Sequence, residues 1–141
     1  VMAKYSGKPV VVNHPAEEVY NRLSDLSSFQ QRLETLPPEA REKLGDVRFT
    51  ADSIIITAPA VGEMKFVISE RTPFSRLGFA AENSPVPFAI KIDMKPVSDT
   101  STEVMATIDV DIPVMLKPLV GGKMQEAADK FSEMLSTLFA S

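Results

Sequence analysis

The sequence predicts an α+β fold: an antiparallel sheet of about six to seven strands, two short N-terminal helices, and one long C-terminal helix packed across the sheet. Three observations carry this. Phe88, Ile90, Ile92 and Met94 alternate with Ala89, Lys91, Asp93 and Lys95. After a polar break at Ser98 to Thr102, Val104, Ala106, Ile108, Val110 and Ile112 alternate with Met105, Thr107, Asp109 and Asp111. Strand side chains point to opposite faces in turn, so these two runs form a hairpin with one dry and one wet face. Third, from about Val114 to Phe139, Leu116, Val120, Met124, Ala127, Phe131, Met134, Leu135 and Leu138 fall on one helical face, which can cover the dry side.

Lys8 to Val12 is a β-prone run. Asn13-His14-Pro15 then marks a helix start, with Glu17 and Glu18 placed at the positive end of the helix dipole. Val19, Tyr20, Leu23 and Leu26 share a face, and a second helical stretch carries Phe29, Leu33 and Leu36 before Pro37-Pro38 stops it. Glu39 to Leu44 forms one further short helical turn, closed by Gly45. The pattern then becomes β: Val47 to Thr57, Met64 to Glu70, Leu77 to Ala81, and the hairpin. Pro59-Ala60-Val61-Gly62, Thr72-Pro73-Phe74-Ser75 and Asn83-Ser84-Pro85 supply the turns. In the hairpin, pairing Lys91 with Asp109 also sets Ile92 against Ile108 and Met94 against Ala106, so charge and packing favour one register.

One domain over residues 1–141 is expected, since this length buries a single core. The apolar share of 44% and the charged share of 24% are those of an ordinary globular protein, which excludes disordered and collagen-like classes. No apolar run approaches the roughly 20 residues that span a bilayer, and the start has no basic-then-apolar leader. A cytoplasmic protein without stable membrane insertion is therefore expected. The absence of cysteine removes disulfides, thiolate catalysis and cysteine-based metal sites. A net charge of −4 opposes a broad phosphate-binding surface, so no nucleic acid partner is expected.

Strand, helices, a run of antiparallel strands and a long terminal helix, opened by Val10-Val11-Val12-Asn13-His14 and then Pro15-Ala16-Glu17-Glu18-Val19-Tyr20, resembles the SRPBCC superfamily of START and Bet v 1-like helix-grip proteins. Members commonly open with an apolar strand followed by a Pro-Ala-Glu-Glu-Val-aromatic helix start. The resemblance implies a curved sheet gripping the terminal helix, with a cavity between them. It further implies binding of an apolar or amphipathic small molecule such as a lipid, polyketide or quinone; a minority of relatives catalyse cyclisation or dehydration. The superfamily has no universal catalytic motif, so no catalytic residue is carried over.

His14 is the only histidine, and its place before Pro15 makes it a cap or an exposed turn residue with no evident acidic orienter. Zinc needs more ligands than it offers, calcium needs a Gly-containing acidic loop, and no metal or cofactor is expected. Asp93, Asp109 and Asp111 alternate onto the wet face, where Lys91 and Lys95 make a solvated charge ladder of them. No Gly-x-Ser-x-Gly elbow is present. Pro118 with Gly121-Gly122 distorts the start of the last helix, giving either close packing on the sheet or a gate for a ligand. Methionines and phenylalanines fill a core or line an adaptable pocket equally well.

The primary reading is a binding or transfer protein that holds its ligand among Phe66, Ile68, Phe79, Phe88, Ile90, Ile92, Val104, Ile108, Met124 and Phe131. A polyketide cyclase or dehydratase-type enzyme is the second, lacking an identifiable inward acid or base. The third is a compact filled-core interaction module that uses an exposed strand edge or the terminal helix, a homodimer being one form of it.

Overall fold

The computed structural model describes residues 1–58 and 62–140, so the expected turn at Pro59, Ala60 and Val61 lies outside the described residues. Strands β1 (Met2–Ser6) and β2 (Val10–Val12) lead into α1 (Ala16–Ser24), α2 (Leu26–Thr35) and α3 (Pro38–Leu44). Six strands follow: β3 (Val47–Phe49), β4 (Ser53–Ala58), β5 (Gly62–Thr72), β6 (Arg76–Ala81), β7 (Phe88–Ser98) and β8 (Ser101–Asp111). A 3-10 turn at Val114–Leu116 opens into α4 (Lys117–Leu138). The strands form one antiparallel sheet in the order β1-β8-β7-β6-β5-β4-β3, with β2 also on β8. This is the α+β helix-grip architecture, with eight strands among the described residues where about six to seven were expected.

The two strands beyond the six runs read from the sequence have local causes. Met2–Ser6 pairs with the last half of β8, Ala3 against Val110 and Tyr5 against Ile108, although this run is too polar to read as a strand by itself. The expected run from Val47 to Thr57 breaks at Thr50, whose amide donates to the Ser53 carbonyl at 2.9 Å while its hydroxyl meets Asp52. Thr-Ala-Asp is turn chemistry, and the two halves fold back on each other as β3 and β4. Among the helices, the short turn before Gly45 is a full α3 from Pro38, and Gly45 ends it at a φ of 74°.

The β7–β8 hairpin has the expected faces but not the expected register. Ile90 stands opposite Ile108, Ile92 opposite Ala106 and Met94 opposite Val104; Asp109 faces Ala89, and Lys91 faces Thr107. The shift is two residues, which leaves every side chain on its expected face, so hydrophobicity does not choose between the two registers. The turn does: Ser98 pairs with Ser101 around a two-residue loop, and an extra residue, Val97, bulges between Pro96 and Ser98. Lys91 still reaches Asp109 diagonally, Nζ to Oδ2 at 3.1 Å.

The core lies between one face of the sheet and the helices. Val19, Leu23, Leu26, Phe29 and Leu33 of α1 and α2 pack with Phe66, Leu77, Phe79, Ile90, Ile92 and Val104 of the sheet and with Leu135 and Leu138 of α4. Each such Phe or Leu contributes roughly 1.5–3 kcal/mol on burial, against about 0–1 kcal/mol for an exposed ion pair, so this face dominates stability. A smaller cluster of Ala3, Ile108, Val110, Ile112 and Ala128 joins the end of β8 to the first half of α4, and Phe88 and Phe131 touch both clusters.

The glycine that allows α4 to approach the sheet is Gly7, between β1 and β2. A Cβ there would collide with the Ala128 carbonyl oxygen and the Ser132 hydroxyl. Of the two alternatives for Gly121-Gly122, a backbone approach that only glycine allows is not seen: a Cβ on Gly121 would make ordinary contact with the Tyr5 hydroxyl at 3.5 Å, and one on Gly122 would meet open space. Pro118 lies in the first turn of α4, where its missing amide costs no hydrogen bond.

Candidate functional site

The candidate site is where α4 leaves part of the sheet uncovered. The helix packs mainly on β8, β1 and β2, and on α3. Between it and β4 remains a cavity of about 530 Å³. Its walls are Leu44, Gly45, Asp46 and Val47 from the α3–β3 connection, Ile56 and Thr57 from β4, and Ala127, Lys130, Phe131 and Met134 from α4. Gly45 turns the chain there, and the Thr57 amide donates to the Asp46 carbonyl at 3.0 Å, tying the wall to the sheet. Val47 and Met134 are buried, whereas Gly45, Asp46, Thr57 and Lys130 are exposed. An apolar interior with a few polar groups at one edge, within the few-hundred to thousand Å³ range of small-molecule sites, is the chemistry of a ligand pocket.

Of the expected lining, Phe131 alone is on the wall of this cavity. Phe66, Phe79, Ile90, Ile92, Val104 and Ile108 are buried in the packed interior. Ile68, Phe79, Ile90 and Ile108 stand opposite one another strand by strand, a continuous apolar row across β5, β6, β7 and β8. Ile68, Phe88 and Met124 are half-buried beside these clusters, and the Phe88 ring meets Phe66 edge-on at 5.5 Å. Thus the expected residues share one interior, but most of them are packed against protein. Pro118, Gly121 and Gly122 lie at the start of α4 and do not line the cavity. Leu44, Val47 and Ile56 were outside the expected lining; Gly45, a helix stop beside two short strands, is the signal that marks their junction.

A second, more open hollow of about 510 Å³ lies on α1 and α2, walled by Pro15, Glu17, Glu18, Asn21, Arg22, Asp25 and Ser28. Glu17, Asn21 and Asp25 on its walls are exposed to solvent, whereas the cavity beside α4 has the mainly apolar lining of small-molecule sites.

Two charged groups differ from the sequence expectation. His14 is half-buried and has an acidic partner: Nδ1 lies 3.0 Å from Glu18 Oε2. Glu18 also accepts from Arg22 at 2.7 Å, and the His14 hydrogen bond, aided by Arg22, holds its carboxyl below the usual carboxylate range despite desolvation. The His14 ring rests 5.9 Å from that of Phe139, so the cluster docks the start of α1 onto the end of α4. Asp109 is on the outer face as expected but buried, not solvated. Strands β1 and β7 flank it, and Lys4 and Lys91 lie over it at 3.9 and 3.1 Å. Arg76 Nε donates to Asp93 at 2.7 Å on the same face, and this bond raises the Arg76 pKa.

The same fold occurs in solved structures of low sequence identity. Norcoclaurine synthase from Thalictrum flavum, in complex with dopamine and hydroxybenzaldehyde, superposes with a TM-score of 0.73 at 10% identity, covering 99% of this chain and 86% of that one. A START superfamily protein from Mycobacterium smegmatis gives 0.54 at 15%, covering 97% and 98%, and a protein from Thermus thermophilus gives 0.61 at 17%, covering 98% of each. No family model and no curated protein matches the chain. The chain therefore has the SRPBCC-type fold of Bet v 1-like and START proteins.

Proposed function

We propose that the protein binds and carries an amphipathic small molecule, its apolar body held in the cavity between β4 and α4 and its polar end at the rim. The observation that carries this reading is the cavity itself: about 530 Å³ bounded by Leu44, Val47, Ile56, Ala127, Phe131 and Met134. Lys130 at the rim has no carboxylate within 4 Å among the described residues, so its ammonium is available to an anionic or accepting ligand head. The fold neighbour in complex with dopamine and hydroxybenzaldehyde supports a small-molecule site in this architecture. Phe131 forms the near wall; half-buried Ile68, Phe88 and Met124 are the apolar surface towards which a longer ligand extends. Transfer is favoured over catalysis because the polar side chains on the cavity, Asp46, Thr57 and Lys130, are all exposed at its edge instead of set within it.

The test is titration with anilinonaphthalene sulfonate, an apolar probe with an anionic head. Ala127→Trp fills the cavity and is expected to weaken probe binding about tenfold or more with little change in melting temperature. Unchanged affinity in a folded Ala127→Trp protein would place the probe elsewhere and overturn the assignment.

A further inference from the structure

We propose that the turn from β8 into α4 docks the protein onto an anionic lipid bilayer. Large apolar side chains are exposed here in a way the fold does not require. Val114 is 64% exposed, Met115 88%, Leu116 45% and Leu119 73%. Leu116 was expected on the buried helical face, and the 3-10 turn rotates it out. Pro113 and Pro118 frame the segment, and the Leu116 amide donates to the Pro113 carbonyl at 2.9 Å, so the tip is held in shape before it meets a partner.

The local charge identifies that partner. Residues 112–125 contain Lys117 and Lys123 and no Asp or Glu, in a chain whose net charge is −4. Both lysines are exposed, and among the described residues neither has a carboxylate within 4 Å. An apolar tip flanked by unpaired ammonium groups matches a bilayer surface, where anionic headgroups lie above an apolar layer and lysines reach back to the headgroups. A second copy of the chain fits less well: four side chains offer a few hundred Å², whereas a stable interface takes roughly 800 Å² from each partner. The contact is peripheral, since no helix among the described residues is long and apolar enough to cross a membrane.

The sheet register shows what docking would bring to the surface. Ala58 pairs with Gly62, and Phe88 with Val110, so the end of β4, the β6–β7 connection and the end of β8 share one end of the sheet. Ile56 and Thr57 of the cavity wall lie next to that end. Resting on the ligand-binding reading, docking here would present the cavity to the lipid from which an amphipathic ligand is drawn.

Co-sedimentation with vesicles tests the docking by itself. Two sets are used: equal parts phosphatidylcholine and phosphatidylglycerol, and phosphatidylcholine alone. The unmodified protein is expected to bind the anionic vesicles and leave the neutral ones largely unbound. Met115→Asp/Leu119→Asp and Lys117→Glu/Lys123→Glu should each weaken that binding about tenfold or more, as loss of an apolar anchor or of two surface lysines does. All four side chains are exposed, so both double variants should keep the unmodified melting temperature and the unmodified affinity for the probe. Retained probe binding separates failure of docking from failure of the cavity assignment. No binding to anionic vesicles, equal binding to neutral ones, or binding that neither double variant weakens would overturn the proposal. A dimer in sedimentation velocity that Met115→Asp/Leu119→Asp dissolves, without vesicle binding, would assign the surface to a second copy.

Discussion

Single residues decide how closely α4 approaches the sheet, and three glycines separate the cases. Gly7 is the contact point, because any side chain there meets the helix backbone at Ala128 and the Ser132 hydroxyl beneath it. That backbone cannot give way without moving the buried Ala128 and Leu135 with it. Gly7→Ala should therefore lower stability by about 2–3 kcal/mol, read as a fall in the urea midpoint. Gly122 is the control: it is an exposed helical glycine with open space around its missing Cβ, so Gly122→Ala should raise stability by up to about 1 kcal/mol. A neutral Gly7→Ala would mean that α4 does not seat on the β1–β2 connection. The sequence drew attention to Gly121-Gly122 as either a close contact or a gate, since two adjacent glycines stand out in a helical pattern. Gly7 sits in an ordinary-looking connection and its role appears only when the helix lies across it.

At the scale of elements, the alternation in β7 and β8 was legible because each strand has one dry face, and Val104, Ala106, Ile108 and Val110 are buried on it. The register was not, since a two-residue slip preserves both faces and the bulge at Val97 makes the choice. The environment of Asp109 was hidden for a related reason: alternation assigns a face but does not say what neighbouring strands lay over it. Here Lys91 covers Asp109 while staying only 30% exposed itself. Lys91→Met takes the nearest ammonium from a buried carboxylate, leaving exposed Lys4 at 3.9 Å and Arg76 farther off, and should cost about 1–3 kcal/mol. Lys91→Met/Asp109→Asn should cost less than the sum of the two single changes. Strict additivity in urea denaturation would show that the diagonal pair contributes nothing.

Across the whole molecule, the helix-grip architecture was readable from the order of elements, and its missing parts were those with weak local patterns. Strand β1 is short, and Lys4 and Ser6 interrupt it; it is held by β8 more than by its own sequence. The site was less legible than the fold. Phe66, Phe79 and Ile92 were reasonable lining candidates because they face inward, but inward-facing residues at the centre of a sheet are those most completely packed by helices. The cavity instead forms at the margin, where α4 packs on β1 and β8 and the α3–β3 connection forms the other wall. That margin depends on the position of three elements, and no periodicity in one segment reports it. The proposed docking at the β8–α4 turn and the proposed uptake by the cavity rest on separate residues, so each is tested without the other.

Native mass spectrometry of protein purified without denaturation tests the central claim, occupancy of the cavity, most directly. Wild-type protein should carry added mass that solvent extraction removes, and Ala127→Trp protein should fly bare. Bare wild-type protein that also fails to take up an amphipathic probe, or the same added mass on both proteins, would contradict a ligand held between β4 and α4.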